Sequence, residues 1–90
     1  MNKVIALTEK MIELKVTEQV QYWTAIRFAD LEPDYDDERV AWEKWDRKNT
    51  ALWKKREDTC DKIYSLQDRI VSAMYSHVEK EANRRLKEVK

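Results

Sequence analysis

The sequence predicts an all-α fold, and its composition carries most of that prediction. The 90 residues include no glycine and one proline, whereas those two types supply about an eighth of an average protein. Because the tight turns of β-hairpins depend on residues that accept positive φ, β-rich folds are hard to build from this chain. Charged residues make up 40% of it, and most are Glu, Lys and Arg, which favour helices. We therefore expect a single helical domain over residues 1–90.

The first helix is predicted over about residues 8–30. Apolar residues recur there at steps of three or four, namely Ile12, Val16, Val20, Trp23 and Ile26, with Met11 and Leu14 beside them. That spacing places them on one face of a helix, which we expect to face the core. Thr8 can cap the helix, although a start near Asn2 is also open. Pro33 disfavours helical geometry at Glu32, so the helix should end near Asp30.

The second helix is predicted over about residues 36–88, after a turn over about residues 31–35. No proline or glycine interrupts it. Acidic residues should occupy its first turn and basic residues its last, where they complement the helix dipole. A short turn makes the two helices antiparallel neighbours. The predicted fold is therefore an antiparallel helical hairpin with a long second helix.

The acidic stretch from Asp30 to Glu43 invites comparison with a calcium-binding loop. Such a loop needs a glycine at its sixth position, where this chain has Asp37, and an oxygen ligand near its ninth, where it has Val40. Helix capping by Asp34 or Asp36 explains the acids without a metal. We expect no metal site here, while an acidic surface for a basic partner stays open.

The far half of the second helix predicts self-association. Counted from the turn, Trp23 should face Trp42 or Trp45, Ile12 should lie near Trp53, and Val4 and Ile5 should reach Cys60 to Ile63. Beyond that point the apolar residues have no cover, so we assign Ile63, Leu66, Ile70, Met74 and Val78 to an interface between subunits of an oligomeric bundle. The alternative is a monomeric three-helix bundle with a break near Ser65, although the usual turn residues are missing there.

The composition also argues against several classes of function. Eighteen basic residues balance eighteen acidic ones, so there is no general attraction to DNA, RNA or a membrane surface. The apolar run near the N-terminus is too short for a membrane span, and a single cysteine fits a reducing, cytoplasmic setting. Cys60 and His77 would lie about 25 Å apart on one helix, too far for a nucleophile and its base. We expect no enzymatic activity and no cofactor.

The best candidate site is the basic, tryptophan-rich segment from Trp42 to Arg56. The residues assigned to ligand or partner binding are Trp42, Trp45, Arg47, Lys48, Asn49, Trp53, Lys55 and Arg56. Exposed indoles and cations can hold phosphates and bases, and aromatic residues with arginine anchor protein interfaces. The competing interpretation is that the tryptophans pack in the core and the lysines form a solvated outer face. Asn49 and Arg56 fall in the apolar stripe, where polar residues can set helix register or line a pocket.

Two hypotheses about function follow. In the first, the chain is a small interaction protein that forms homo-oligomers and binds a protein partner, as phage-encoded inhibitors and viral adaptors do. In the second, an oligomer sequesters a nucleotide or another anionic small molecule in pockets between helices. The salt dependence of binding distinguishes the two hypotheses, because phosphate binding weakens steeply with salt and an apolar helix interface does not.

Overall fold

The computed structural model describes residues 2–89, so the two terminal residues of the expected 1–90 domain lie outside it. Within that range the chain forms two helices, α1 (Asn2–Ala29) and α2 (Arg39–Glu88), which pack against each other. The all-α class and the helical hairpin are confirmed. α2 runs without interruption past Ser65, so the three-helix alternative is wrong for the described residues. The continuity agrees with the lack of glycine, proline or asparagine near that position.

α1 begins earlier than its predicted start near residue 8. Thr8 lies inside the helix, and its hydroxyl donates a hydrogen bond to the carbonyl oxygen of Val4, 2.7 Å away. A hydroxyl bonded to the carbonyl four residues back is the usual arrangement for threonine within a helix. Thr8 is therefore not the cap, and α1 gains about one and a half turns at its N-terminus.

The acidic stretch forms a turn that precedes α2 and does not occupy its first turn as predicted. Asp34 Oδ1 accepts the backbone N–H groups of Asp36 at 2.9 Å and Asp37 at 3.0 Å. Side chains of this type compete with helix by satisfying nearby backbone donors in turns. The helix starts only at Arg39, and its N-cap residue, Glu38, makes no side-chain capping bond.

The seam between the helices follows a heptad pattern. The inward residues of α1 alternate steps of three and four: Val4, Leu7, Met11, Leu14, Glu18, Gln21, Ala25 and Phe28. Those of α2 do the same: Trp42, Trp45, Asn49, Leu52, Arg56, Thr59, Ile63, Leu66, Ile70 and Ala73. This spacing, 3.5 residues on average, is typical of coiled coils. The two helices thus pack along a single seam with the residue spacing of a coiled coil.

The apolar stripe predicted to face the core lies on the opposite side of α1. Ile12, Val16, Val20 and Trp23 are exposed, and Ile26 alone of the five is half-buried. Helix α1 carries a second stripe, which includes Glu18, and that one faces α2. Glu18 of this inward stripe pairs with Arg56 in the seam of α2, so the half-buried guanidinium has an opposite charge beside it.

The alignment of the two helices also differs from the prediction. Trp45 stacks on Phe28 and Trp53 contacts Tyr22, where Trp23 and Ile12 were expected as their respective partners. The reason is the path of residues 30–38, which runs beyond α1 along the first turns of α2. Two contacts hold it there. Glu32 accepts a hydrogen bond from the Trp42 indole, and Tyr35 packs edge-on against the same ring.

With this alignment, α1 packs along α2 farther toward the C-terminus of α2 than predicted. Lys3 and Val4 line a groove with Ala73 and His77, well past the predicted limit at Cys60 to Ile63. Ile63 and Leu66 are consequently buried inside the hairpin, and Ile70 is half-buried. The ground for placing these three in an oligomer interface, the lack of an intramolecular cover, does not hold.

The hairpin is long and thin. Its extents are 81 × 15 × 13 Å and its radius of gyration is 21.9 Å, whereas a compact domain of this length has a radius of about 12 Å. Among the described residues the buried hydrophobic side chains are Leu7, Ala25, Ile63 and Leu66, and no large side chain is fully enclosed. One seam therefore supplies the whole core of this part of the chain.

Candidate functional site

Two of the predicted site tryptophans close the loop end of the hairpin. The Trp45 indole N–H donates to the carbonyl oxygen of Phe28 at 2.9 Å, and its ring stacks on the Phe28 ring with centroids 6.1 Å apart. The Trp42 indole N–H donates to Glu32 Oε1 at 3.0 Å, and Tyr35 meets its ring edge-on at 4.9 Å. Both indole donors are thus engaged within the chain.

A polar layer interrupts the apolar seam in the middle of α1. Arg56 Nη2 lies 2.7 Å from Glu18 Oε1, and Arg56 Nε donates to the same oxygen at 2.9 Å. The guanidinium also lies over the Tyr22 ring, 5.1 Å from its centroid, and Trp53 meets that ring edge-on at 5.9 Å. Of the two roles considered for Arg56, register within a seam is the one this geometry serves.

The contacts of this polar layer lower the pKa of Glu18. The hydrogen bond from Arg56 lowers the pKa of the Glu18 carboxyl, and a second hydrogen bond from Gln19, 2.9 Å long, adds to the effect. Burial of the carboxyl acts in the opposite direction by penalising the charged form. Since the net shift is downward, Glu18 is an anion at neutral pH and holds Arg56 in the seam.

Asn49 also faces the seam and shows no direct link to Arg56. Its amide oxygen is buried and has no hydrogen-bond partner among residues 2–89, and the same holds for the amide oxygen of Gln21. Buried acceptors without partners weaken a core, because the lost hydration is not replaced. Asn49 is therefore a polar component of a thin core.

The three remaining residues of the predicted site lie on the outer face of α2. Arg47, Lys48 and Lys55 are all exposed. Lys48 places its ammonium over the Phe28 ring, 4.9 Å from the centroid, and Arg47 Nε donates a long hydrogen bond, 3.4 Å, to the Glu43 carbonyl. The eight predicted residues are thus divided between the seam and the outside of α2.

The main exposed apolar feature of α1 contains four of the five residues whose periodicity predicted a core-facing stripe, together with Ile5. We call it the outer stripe; its members are Ile5, Ile12, Val16, Val20 and Trp23, which are 53% to 61% exposed. It spans about 27 Å along the helix, from the 1.5 Å rise per residue. The signal for it was present in the periodicity, and only its direction was misassigned.

Two charged residues share the face of the outer stripe: Glu9 lies between Ile5 and Ile12, and Arg27 lies one turn beyond Trp23. Glu9 borders a shallow groove with Ile12, and Arg27 borders another with Val20 and Trp23. Both are exposed, and none of the ion pairs formed within residues 2–89 includes either of them. The stripe is therefore acidic toward its N-terminal end and basic toward its C-terminal end.

A second exposed apolar set lies on the far part of α2. Met74 and Val78, from the predicted oligomer interface, are exposed, and so are Val71 and Tyr75 near them. The last turns of α2 carry a network of exposed ion pairs in which Arg84 and Arg85 bind Glu81. Pairs of this kind contribute little stability each. The four apolar residues are spaced at i, i+3, i+4 and i+7, so they share one face of α2 as the members of the outer stripe share one face of α1.

Neither a metal centre nor a catalytic pair is assembled in the described residues. No group of three His, Cys, Asp or Glu side chains there has the arrangement of a metal site. Cys60 lines a groove with Glu18 and Tyr64, whereas His77 lines a different groove near the start of α1. No helix within residues 2–89 has both the length and the apolar character that a bilayer crossing requires.

No protein-family model matches the chain, and neither the curated proteins nor the solved structures include a significant match.

Proposed function

We propose that this chain is a non-enzymatic helical interaction protein that associates with itself and binds a protein partner through the outer stripe of α1. One observation carries the proposal: five large apolar side chains are more than half exposed along one face of a 28-residue helix. Scattered apolar residues are normal on a surface, but contiguous patches of several hundred Å² usually mark interaction sites.

The energy available from this face supports association of moderate strength. Full burial of a Val, Ile or Phe side chain contributes about 1.5–3 kcal/mol, so covering the exposed half of five such residues contributes roughly 4–7 kcal/mol. Two copies that cover each other gain about twice that amount. The cost of association is of a similar size, about 4–15 kcal/mol. The thin core of the hairpin adds a reason for self-association, because a partner enlarges the buried surface.

The kind of protein partner follows from the shape of the stripe. A helix with anchors at steps of three and four fits a hydrophobic groove or the face of another helix. Trp23 is the residue type most often found as the energetic centre of an interface. An inhibitor or adaptor of the phage type would use such a face to cover a surface of its target. A single unpaired cysteine fits a reducing compartment such as the cytoplasm.

Capture of a nucleotide or another anion has less support. Arg56 is held by Glu18 in the seam, and both Trp42 and Trp45 use their indole donors inside the hairpin. A ligand would have to displace these bonds before it could use the same groups. Of the exposed cations Arg47, Lys48 and Lys55, Lys48 lies over the Phe28 ring, and that ring already stacks on Trp45 inside the hairpin.

The test compares one substitution inside the outer stripe with one outside it. Val16→Asp places a charge in the middle of the stripe, and Val40→Asp places it at another exposed valine, in the first turn of α2; the two are 55% and 68% exposed. We expect the wild type to be heavier than the 10.9 kDa chain by light scattering. Val16→Asp should be a monomer with unchanged helicity, and Val40→Asp should match the wild type.

Two results would contradict the proposal. One is a wild-type chain that stays monomeric at high micromolar concentration. The other is loss of helicity in Val16→Asp, because that would place Val16 inside the fold. Repeating the measurement at high salt adds a check, since an apolar interface keeps its strength where an electrostatic one weakens.

A further inference from the structure

We propose that the outer stripe binds the outer stripe of a second copy, with the two α1 helices antiparallel about a twofold axis at Val16. The inference rests on the self-association proposed above and specifies its geometry. It is carried by two properties of the stripe, the spacing of its residues and the sign of the charges at its ends.

The spacing of the face is symmetric about Val16. Apolar and charged members together occur at Ile5, Glu9, Ile12, Val16, Val20, Trp23 and Arg27, and the steps between them are 4, 3, 4, 4, 3 and 4. Read in either direction, the face presents side chains at the same heights. A twofold axis perpendicular to the helix therefore brings each position level with another position of the same face.

The residues that this axis brings together are chemically compatible. Val16 meets its own copy, and Ile12 lies level with Val20 of the second chain, so the centre of the contact is apolar. Trp23 lies level with Glu9 of the other chain and can cover its methylene groups. Arg27 lies level with Ile5 of the other chain, on which its methylene groups can pack while the guanidinium stays in water. Because the stripe is on the side of α1 away from the seam, α2 does not obstruct the approach.

The charges select the antiparallel direction. With the axis at Val16, Glu9 of one chain and Arg27 of the other are displaced by four residues, about 6 Å along the helix, within the reach of an arginine side chain. The contact occurs twice, once at each end. In a parallel arrangement Glu9 would face Glu9 and Arg27 would face Arg27, and both contacts would be repulsive. Antiparallel helices also oppose their dipoles favourably.

Charge exchange tests the direction of pairing. Glu9→Arg and Arg27→Glu each turn two attractive contacts into repulsive ones, so each should weaken the dimer roughly tenfold as measured by sedimentation equilibrium. The double variant Glu9→Arg with Arg27→Glu restores opposite charges across the interface and should return to the wild-type dissociation constant. Each variant is compared at low and high salt, where the differences should shrink.

A matched control keeps the same change of charge away from the stripe. Glu57→Arg lies on an exposed position of α2 and should leave dimerisation unchanged. Single variants that bind like the wild type, or a double variant that does not recover, would overturn the antiparallel pairing. In both cases a dimer that Val16→Asp still dissociates would keep the proposed function intact, so the two failures are distinguishable.

Disulfide trapping tests the position of the axis. In a Cys60→Ser background, Val16→Cys should form a disulfide with its own copy, because the axis passes through it. Glu9→Cys should not, since its copies would be about 21 Å apart. A mixture of Glu9→Cys and Trp23→Cys chains should cross-link to each other. Efficient self-cross-linking of Glu9→Cys would refute the arrangement.

Discussion

Replacement of Leu66 by alanine, compared with the same change at Leu86, tests the alignment of the two helices. Both leucines lie on α2, and both changes remove the same atoms. Leu66 is 5% exposed and lies in the seam, whereas Leu86 is 66% exposed beyond the reach of α1. The helix propensity of alanine is slightly better than that of leucine at either position. Any difference between the two variants therefore measures burial.

The expected magnitudes follow from the two environments. A leucine truncated to alanine in a core costs about 2–5 kcal/mol, with the larger values where the cavity cannot relax. The seam here is only two helices wide and open to water on both sides, so we expect a loss of about 2–3 kcal/mol for Leu66→Ala. Leu86→Ala should change the free energy of unfolding by less than about 0.5 kcal/mol.

Urea unfolding followed by circular dichroism measures both losses. For a chain of this size the slope is on the order of 1 kcal/mol per molar urea, so Leu66→Ala should lower the midpoint by about 2 M. All chains are compared at one concentration, because association makes stability concentration-dependent. Equal effects of the two substitutions would refute the alignment. A Leu66→Ala loss that grows with chain concentration would instead place Leu66 between subunits.

Three further outcomes are expected. Because Arg56 lowers the pKa of Glu18 below its ordinary value of 4.5, the stabilisation is complete above that value and is lost as pH falls through the lowered pKa; the urea midpoint should drop more on acidification for the wild type than for Glu18→Gln. Trp45→Phe keeps an aromatic ring at this position but removes the pyrrole half of the indole together with its donor to Phe28; it should cost at least about 1 kcal/mol in the same assay, and an unchanged urea midpoint would contradict this. Millimolar calcium should leave the melting temperature unchanged, since Asp34 is engaged by backbone donors; a rise of several degrees would reveal a calcium site.

The helical content and the hairpin could be predicted because their causes are local. The absence of glycine excludes most alternatives to helix, and Pro33 interrupts the only long helical pattern at one place. The continuity of α2 past Ser65 follows in the same way from the absence of helix-breaking residues there. Each of these features depends on a few neighbouring residues, and a sequence displays such features directly.

The direction of α1 could not be predicted, because it depends on the other helix. Two faces of α1 are apolar enough to be buried, and the one that contains Ile12, Val16 and Val20 points outward. The face that turns inward carries Glu18, which pairs with Arg56 of α2. The alignment depended likewise on residues 30–38, whose path along α2 comes from contacts such as Tyr35 with Trp42. Because the direction of α1 and the alignment of the two helices both differ from the prediction, the candidate surface lies on α1 and not on α2.

The order of contacts along the hairpin has a consequence for how the chain folds. Phe28 and Trp45 are separated by 17 positions, whereas Glu18 and Arg56 are separated by 38, and the separation grows steadily toward the open end. The entropy lost on closing a loop rises with its length, so the aromatic cluster at the turn should form first and the pairing should then propagate away from it. The open end should also separate first. Amide exchange should therefore be slowest beside the turn, and uniform protection along both helices would contradict this order.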